Sequence, residues 1–469
     1  MSEYIVGPMN NLLWGNGQLL IYVLLFAGVW FSVKLRFIQL RNFTYMFKLL
    51  RQDGKSDPRG ISSFQALCTG LSARVGTGNL AGVAMAISLG GSGAVFWMWV
   101  IALLGMATGF AESVLGQLYK VRDSHQEFRG GPAYYIRSGL NNKWLAVLFS
   151  LCLFLGYGAS FSAMQANTIA EALNNTFAIS TSISGLVIAA VAGVIVLGGF
   201  KRIARFAELV VPWMGLAFVA TAVIIATMNI TDIPTLVIDI VMSAFGLTEA
   251  SAGALGAAIK SGIQRGMYSN EAGAGSVPHA AAGAAPKPNH PVAQGYIQML
   301  GVFLDTIVLC SCTALVVLLA GVGPTGEMAG IGVTQYAMSV HFGEYGDDFI
   351  AAAITLFAFT SVVANYAYAE SNLHFFHLDN KWGKGGYTLI YLCMVVWGAN
   401  ASLKEAWNLA DMSLGLMTLV NIYAIVQLTP TIVNLMHDYA DKKRAGGAME
   451  FRCSEVKIQG QVADNVWKN

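Results

Sequence analysis

Gly76-Thr77-Gly78-Asn79 stands inside an apolar run over about 62–90, and GIQRGMYSNEAGAGS (262–276) stands inside a second run over about 248–285. Each run exceeds the roughly 20 residues that carry a helix across a bilayer. Each also places glycines and polar groups at or beyond its midpoint. A helix in lipid cannot leave backbone N–H and C=O groups bare, so such a break is tolerated only where protein or a water-filled cavity covers it. Two interrupted spans in corresponding halves of a chain point to a binding site between them, near mid-membrane.

The composition agrees. Of 469 residues, 55% are hydrophobic and 12% charged, and the mean hydropathy is +0.56. A soluble domain averages about 25% charged residues. The chain therefore reads as an all-α polytopic membrane protein in which one bundle absorbs nearly all the length. The net charge of +2 says little by itself, and no basic run with interleaved aromatics suggests nucleic acid. Cys68, Cys152, Cys310, Cys312 and Cys393 lie in apolar runs, and only Cys453 does not. No cysteine spacing fits a zinc or redox motif. His374 and His377 are neighbours on a helix but have no third ligand, so no metal centre is expected there.

Eleven spanning helices are expected, at about 17–34, 62–90, 94–119, 144–173, 181–199, 206–228, 248–285, 292–321, 347–378, 386–402 and 407–436. Lysine and arginine test this count, because they concentrate on the cytoplasmic side. Lys34 to Arg59, Lys120 to Lys143, Lys201 to Arg205, Lys287, Lys381 with Lys384, and the C-terminal basic residues all fall on one face. The opposite loops, at 90–93, 174–180, 229–247, 322–346 and 403–406, hold only Lys404. The N-terminus is then outside and the C-terminus cytoplasmic. Residues 1–33 contain no Lys or Arg, so the first helix is expected to stay in the membrane rather than act as a cleaved leader. Segments 134–140 and 333–341 read as short helices lying on the membrane.

Setting aside the extra N-terminal helix at 17–34 leaves ten helices, five in 62–228 and five in 248–436. Each half opens with an interrupted helix. An odd number of helices per half makes the halves antiparallel, which is an inverted repeat. Residues 1–436 form one transmembrane domain in this reading, and 437–469 form a polar cytoplasmic tail, expected to be solvated and partly flexible.

Several stretches match a known family in order. FQALCTGLSARVGTGNLAGVA (64–84), RGGPAYYI (129–136), MQAN (164–167) and RGMYSNEAGAGSVPHAAA (265–282) resemble motifs of the alanine/glycine:cation symporters, over roughly residues 10–440. Ala274 departs from the Met or Leu expected between two glycines. The resemblance implies an inverted-repeat fold of the LeuT type, with the first and sixth core helices broken. It implies uptake of small neutral amino acids, alanine or glycine and in some members D-alanine or glutamine, together with Na⁺. A bacterial inner-membrane location follows from the same resemblance.

An amino-acid zwitterion needs an anion site, a cation site and a small apolar pocket. The N-terminus of a half-helix offers free N–H groups and a positive dipole end. The carboxylate is therefore placed at Thr77, Gly78 and Asn79, where glycine lets the ligand approach the backbone. Helix-packing glycines are the competing explanation. The amino group is placed at carbonyls freed near Gly262 and Ile263, where the resemblance also puts the pocket wall. Ser269 and Asn270 complete the pocket or an inner gate. Gln165 offers both a donor and an acceptor, against the plainer role of an interhelical hydrogen bond. The resemblance further implies a Na⁺ site between the first broken helix and the helix at 347–378, here Thr360 and Ser361 with backbone oxygens of Ala73 and Gly76. Hydroxyls bonded to their own helix are the alternative.

Charges in the bilayer are costly and mark function. Arg74, Glu112, Glu271 and Asp305 are the four singled out. Arg74 is expected to pair with one of these acids, either as a gate with Glu271 or as a permanent structural pair. Asp305 is alternatively a cation or proton site. No nucleophile with its base is evident, so an enzyme is not expected, nor is a cofactor beyond Na⁺ as coupling ion. Repeated filter loops, which would suggest a channel, are missing. Proton coupling through Asp305 or Glu271, and glutamine as main substrate, remain the alternatives. The expected partners are the amino acid, Na⁺ and membrane lipid, and the protein is expected to be monomeric.

Overall fold

The computed structural model describes residues 2–52, 54–247, 252–325, 330–446 and 449–467. The expected start of the second broken run, at 248–251, lies outside the described residues. Helices dominate. Those that build the bundle are α1 Leu19–Lys34, α2 Ser63–Arg74, α3 Gly78–Gly90, α4 Gly93–Leu118, α5 Lys143–Phe177, α6 Thr181–Val196, α7 Gly199–Met228, α8 Ala252–Asn270, α9 Val277–Gly283, α10 Pro291–Leu319, α11 Glu344–Phe375, α12 Lys381–Asn400, α13 Leu403–Gln427 and α14 Thr429–Ala445, with shorter helices between them. Six of them, α4, α5, α7, α10, α11 and α13, are long and apolar enough to cross a membrane, and α1, α3 and α6 are shorter apolar helices.

Local chemistry explains the boundaries that matter. Ser62 and Gln65 form a capping box at the start of α2, each side chain serving the other's backbone N–H. Ser402 and Glu405 do the same for α13. Turns of π-helix occur at Gly78–Gly82 in α3, Gly156–Ser160 in α5 and Phe303–Cys310 in α10. Such turns recur at functional sites because they re-aim side chains.

Packing separates two helix groups. In one, α4 lies against α8, α9 and α10, while α3 packs on α8. In the other, α5 and α6 pack on α12, and α5 also packs on α11. The α2 helix joins them through α11 and α7. The α7 surface is largely exposed, with Leu209, Trp213, Leu216 and Val223 among its outward residues. That is the pattern of a lipid-facing helix.

Several expectations need amendment. The second interruption comes later than its expected centre: α8 continues unbroken through Gly262 and Ile263 to Asn270. The loop expected at 229–247 contains a helix, Ile233–Ala244, packed on α4. The final expected helix at 407–436 is divided at Leu428, where Pro430 opens α14. A two-stranded hairpin, β1 Val121–Arg122 with β2 Phe128–Arg129, interrupts the all-helical pattern on the basic face. The short segments at 134–140 and 333–341 do form helices, Pro132–Gly139 and Gly332–Phe342. Both pack on protein: Tyr134 donates to the Ser371 carbonyl at 2.8 Å, and Thr334 donates to the Leu80 carbonyl at 3.1 Å.

Candidate functional site: the two helix breaks

The first break occupies Val75 and Gly76. Val75 is extended, with φ −74° and ψ 93°, and ends the α2 hydrogen-bond ladder. The freed groups find side-chain partners. Gly76 N–H donates to Asn79 Oδ1 at 3.0 Å. The Thr77 N–H and hydroxyl both donate to Gln165 Oε1, at 2.9 and 2.7 Å. A neutral oxygen thus sits at the start of α3, where the half-helix would favour an oxyanion. Thr77, Asn79 and Gln165 are all buried. Close approach explains Gly78: a Cβ there would stand 3.2 Å from Ser269 Cα and from Tyr268 Cδ1.

Beyond the break lies a second polar cluster. Asn79 Nδ2 donates to Asp305 Oδ1 at 2.8 Å and to Ser269 Oγ at 3.1 Å. The Ser269 hydroxyl donates to Asp305 Oδ2 at 2.5 Å, and Thr306 Oγ1 donates to the same oxygen at 2.9 Å. Cys310 Sγ lies 3.3 Å from Asn79 Nδ2. Asn79 and Asp305 both come from π-helical turns, so two irregular backbones aim them at one point.

On the other side of the break, Ser361 Oγ lies 2.9 Å from the Ser72 carbonyl and 3.3 Å from the Val75 carbonyl. Ser72 Oγ donates to the Thr360 carbonyl at 2.8 Å. The carbonyls that meet the Ser361 hydroxyl are those of Ser72 and Val75, next to the expected Ala73 and Gly76, and the same hydroxyl lies 3.2 Å from Phe357 O of its own helix. The Thr360 hydroxyl is turned to its own helix, donating to Phe357 O at 2.9 Å. Gly76 stays close through its Cα, where a Cβ would stand 2.5 Å from Ser361 Oγ.

The second break lies at 271–276. Glu271, Gly273 and Gly275 have φ of 54°, 94° and 85°, values that glycine tolerates and other residues resist. Glu112 supplies the missing acceptors: its carboxylate receives Gly273 N–H at 3.2 Å, Gly275 N–H at 3.1 Å and Asn421 Nδ2 at 2.8 Å. Glu271 Oε2 accepts the Ser276 hydroxyl at 2.7 Å. Asn270 Oδ1 accepts Ala272 N–H at 3.0 Å. Gly262, expected to free a carbonyl, is instead a packing glycine whose Cβ would collide with the Ala94 carbonyl and the Trp97 side chain. Ile263 is buried beside it within regular helix.

Arg74 is fully buried, and its longest-reaching contact is Nη1 to the Gln298 carbonyl at 3.5 Å. It has no carboxylate within ion-pair distance among the described residues, so the expected pair with Glu271 or another acid is not formed here. It lies instead within electrostatic reach of Glu112, Glu271 and Asp305 together.

A different ion pair roofs the site. Arg265 on α8 grips Asp411 on α13 with two bonds, at 3.1 and 2.7 Å, and Gln264 donates to the same carboxylate at 3.0 Å. The guanidinium stacks 4.7 Å over Trp407, Trp407 contacts Tyr268 at 5.1 Å, and Tyr268 contacts Phe161 at 5.4 Å. Tyr268 then touches Gly78. Sequence reasoning missed Arg265 and Asp411, although both are charges inside apolar runs and the rule that found Arg74 applies to them equally.

The sodium:alanine symporter family model matches residues 1–453. A probable sodium/glutamine symporter of Bacillus subtilis is 43% identical over 445 residues, covering 95% of this chain and 92% of its own. An amino-acid carrier protein of the same organism is 41% identical, covering 96% and 95%. A sodium/alanine symporter of Methanococcus maripaludis is 36% identical, covering 92% and 95%. Among solved structures, MhsT in complex with L-phenylalanine superposes with a TM-score of 0.55 at 13% identity, covering 83% of this chain and 90% of that one, so the likeness is one of fold. A family match over nearly the whole length, and relatives aligned almost end to end, place two broken helices and their buried polar clusters in one context: the chain belongs to the sodium:alanine symporter family.

Proposed function

We propose that the protein is a Na⁺-coupled symporter that imports small neutral amino acids, alanine or glycine, by alternating access. In this reading eleven helices span a bacterial inner membrane. The N-terminus is outside, the C-terminus is cytoplasmic, and α2–α7 and α8–α13 are the two inverted halves. The observation that carries it is the start of α3. There the Thr77 N–H and hydroxyl converge on one oxygen, that of the Gln165 side chain. A substrate carboxylate takes that position, and the Gln165 amide turns to the ligand. The amino group meets carbonyls around the second break, and Tyr268 with Phe161 covers a small side chain.

Buried oxygens support cation coupling. Arg74 lies among three buried carboxyls, Glu112, Glu271 and Asp305. A hard cation such as Na⁺ takes oxygen ligands. The Ser72, Val75 and Ser361 oxygens offer one position, and Asp305 with Asn79, Ser269 and Thr306 offers another. Ser361→Ala removes a ligand from the first position. It should raise the Na⁺ concentration for half-maximal uptake by about tenfold, equivalent to about 1.4 kcal/mol. Na⁺ activation curves at saturating amino acid read this directly, and an unchanged curve removes Ser361 from the site.

The testing experiment is labelled alanine uptake into proteoliposomes under an inward Na⁺ gradient, against a matched choline gradient at equal pH. An overshoot above equilibrium with Na⁺ alone is expected. Uptake driven by pH instead would favour proton coupling. Competition by glutamine but not glycine would favour the reading suggested by the Bacillus subtilis sodium/glutamine relative.

A further inference from the structure

The polar tail does not float free: residues 449–467 lie docked across the basic face. We propose that this segment is a strap that holds the inner half of the second broken helix closed and must yield whenever the pathway opens to the cytoplasm. The inference rests on the alternating-access reading above.

Three anchors define the strap. At its far end Trp467 is buried, and its Nε1 donates to the Leu118 carbonyl at 3.0 Å, at the end of α4. Its ring covers Lys120, whose Nζ lies 4.8 Å from the centroid. Lys120 in turn donates to the Ala284 carbonyl and to Gln117 Oε1, both at 2.8 Å. Gln117 Nε2 donates to Ala284 O at 2.9 Å and also to Ala281 O. The C-terminal carbonyls of α9 are thus gripped by two side chains of the α4 end, and Trp467 is the lid over one of them.

The middle anchor crosses to other elements. Gln461 N–H donates to the Ser138 carbonyl at 3.0 Å, at the end of the Pro132–Gly139 helix. The Tyr119 hydroxyl donates to the Gln459 carbonyl. Gln459 N–H donates to Thr431 Oγ1 at 3.0 Å, and Asn434 donates to the Lys457 carbonyl at 2.8 Å. The near anchor is Phe451, buried against His290 and Trp467, with its N–H on the Asn289 carbonyl at 2.9 Å. Lys442 of α14 bridges Asp438 at 2.9 Å and Glu455 at 2.8 Å.

One segment therefore ties α4 and the loop before α10, which belong to the helix group carrying the second break, to α14 and the Pro132–Gly139 helix. Movement of α9 away from the α4 end breaks the Gln117 and Lys120 bonds, and Trp467 of the strap covers Lys120 in the bonded position. The strap also has room to shift: a cavity of about 740 Å³ lies beside it, lined by Gly460 and Gln461 on one side and Tyr134, Arg137 and His374 on the other. The family match ends at residue 453, ahead of Gln461 and Trp467. The middle and far anchors of the strap thus lie beyond what the family model describes.

The test locks and removes the strap. Ser138→Cys with Gln461→Cys, in a Cys453→Ser background, places two thiols at positions whose backbones are already hydrogen-bonded, and a disulfide needs neighbouring backbones of this kind. Oxidation is expected to lower uptake by about tenfold or more, with recovery on reduction. A reporter cysteine at Ala282 of α9, buried in the closed form, should lose labelling from the cytoplasmic side in step. Ending the chain after Cys453 should raise that labelling severalfold. Unchanged uptake and labelling in the oxidised pair overturns the strap, whether or not the shortened chain folds, because reduction returns the same molecules to their starting state. Labelling does not depend on the substrate. A failure of uptake in the unmodified protein would therefore strike the transport reading, while the labelling result would still judge the strap.

Discussion

Asp411→Ala is expected to cost the carrier about 3–5 kcal/mol of stability, because it strands a buried guanidinium in a low-dielectric interior. Among the described residues Arg265 has no second acid to turn to: its two bonds both end on Asp411, and its face is occupied by Trp407. Arg265→Met combined with Asp411→Leu should recover most of the loss, since replacing a whole buried pair by apolar groups is often neutral or stabilising. Thermal unfolding of the detergent-solubilised protein measures both. Transport should not recover with stability. The pair joins α8 to α13 over the site, so opening toward the outside exposes both charges to water, which hydrates them. Leucine and methionine gain nothing from that exposure, and the closed form is favoured. If the single and double variants lose stability additively, the two residues act independently and the roof is held by the aromatic stack alone.

Much of this architecture is legible in the sequence because lipid enforces regular rules. Apolar runs mark the helices and basic loops share one face. The first break is marked by Gly76-Thr77-Gly78, and the structure puts the interruption at Val75 and Gly76. The second break was harder for a physical reason. Gly262, Gly266, Gly273 and Gly275 look alike as letters, yet the first two are packing glycines against Ala94 and Met98, and only the last two have positive φ. Neighbours distinguish them, and neighbours come from the fold. Which carbonyls meet Ser361, here Ser72 and Val75, is set by packing across the interface, which sequence spacing does not carry. The π-helical turns that aim Asn79 and Asp305 carry no periodic signature at all. The tail reads as solvated because it is polar, yet Phe451, Val456 and Trp467, which follow no helical or strand spacing, are all buried.

Asp305→Asn is expected to produce the largest change in coupling. Of the three central carboxyls, Glu112 is committed to the backbone of the second break through Gly273 and Gly275, and Glu271 to Ser276. Asp305 is held only by side chains, Asn79, Ser269 and Thr306, together from three helices. Such donors rotate readily, so a cation arriving at the carboxylate is met by their oxygens without any backbone rearrangement. The amide keeps the size of the side chain and one acceptor oxygen but removes the charge. A charged ligand to a buried cation contributes more than a neutral one, so Na⁺-driven uptake should fall by about a hundredfold, or about 2.7 kcal/mol. The loss of folded stability should stay near the 1 kcal/mol of a single hydrogen bond. Thr306→Val, which removes one donor and leaves the charge, should lower uptake far less. The decisive readout is the Na⁺ activation curve at fixed pH. If Asp305→Asn keeps the wild-type curve, Asp305 is not a ligand of the coupling ion, and the Ser72, Val75 and Ser361 oxygens must carry it by themselves.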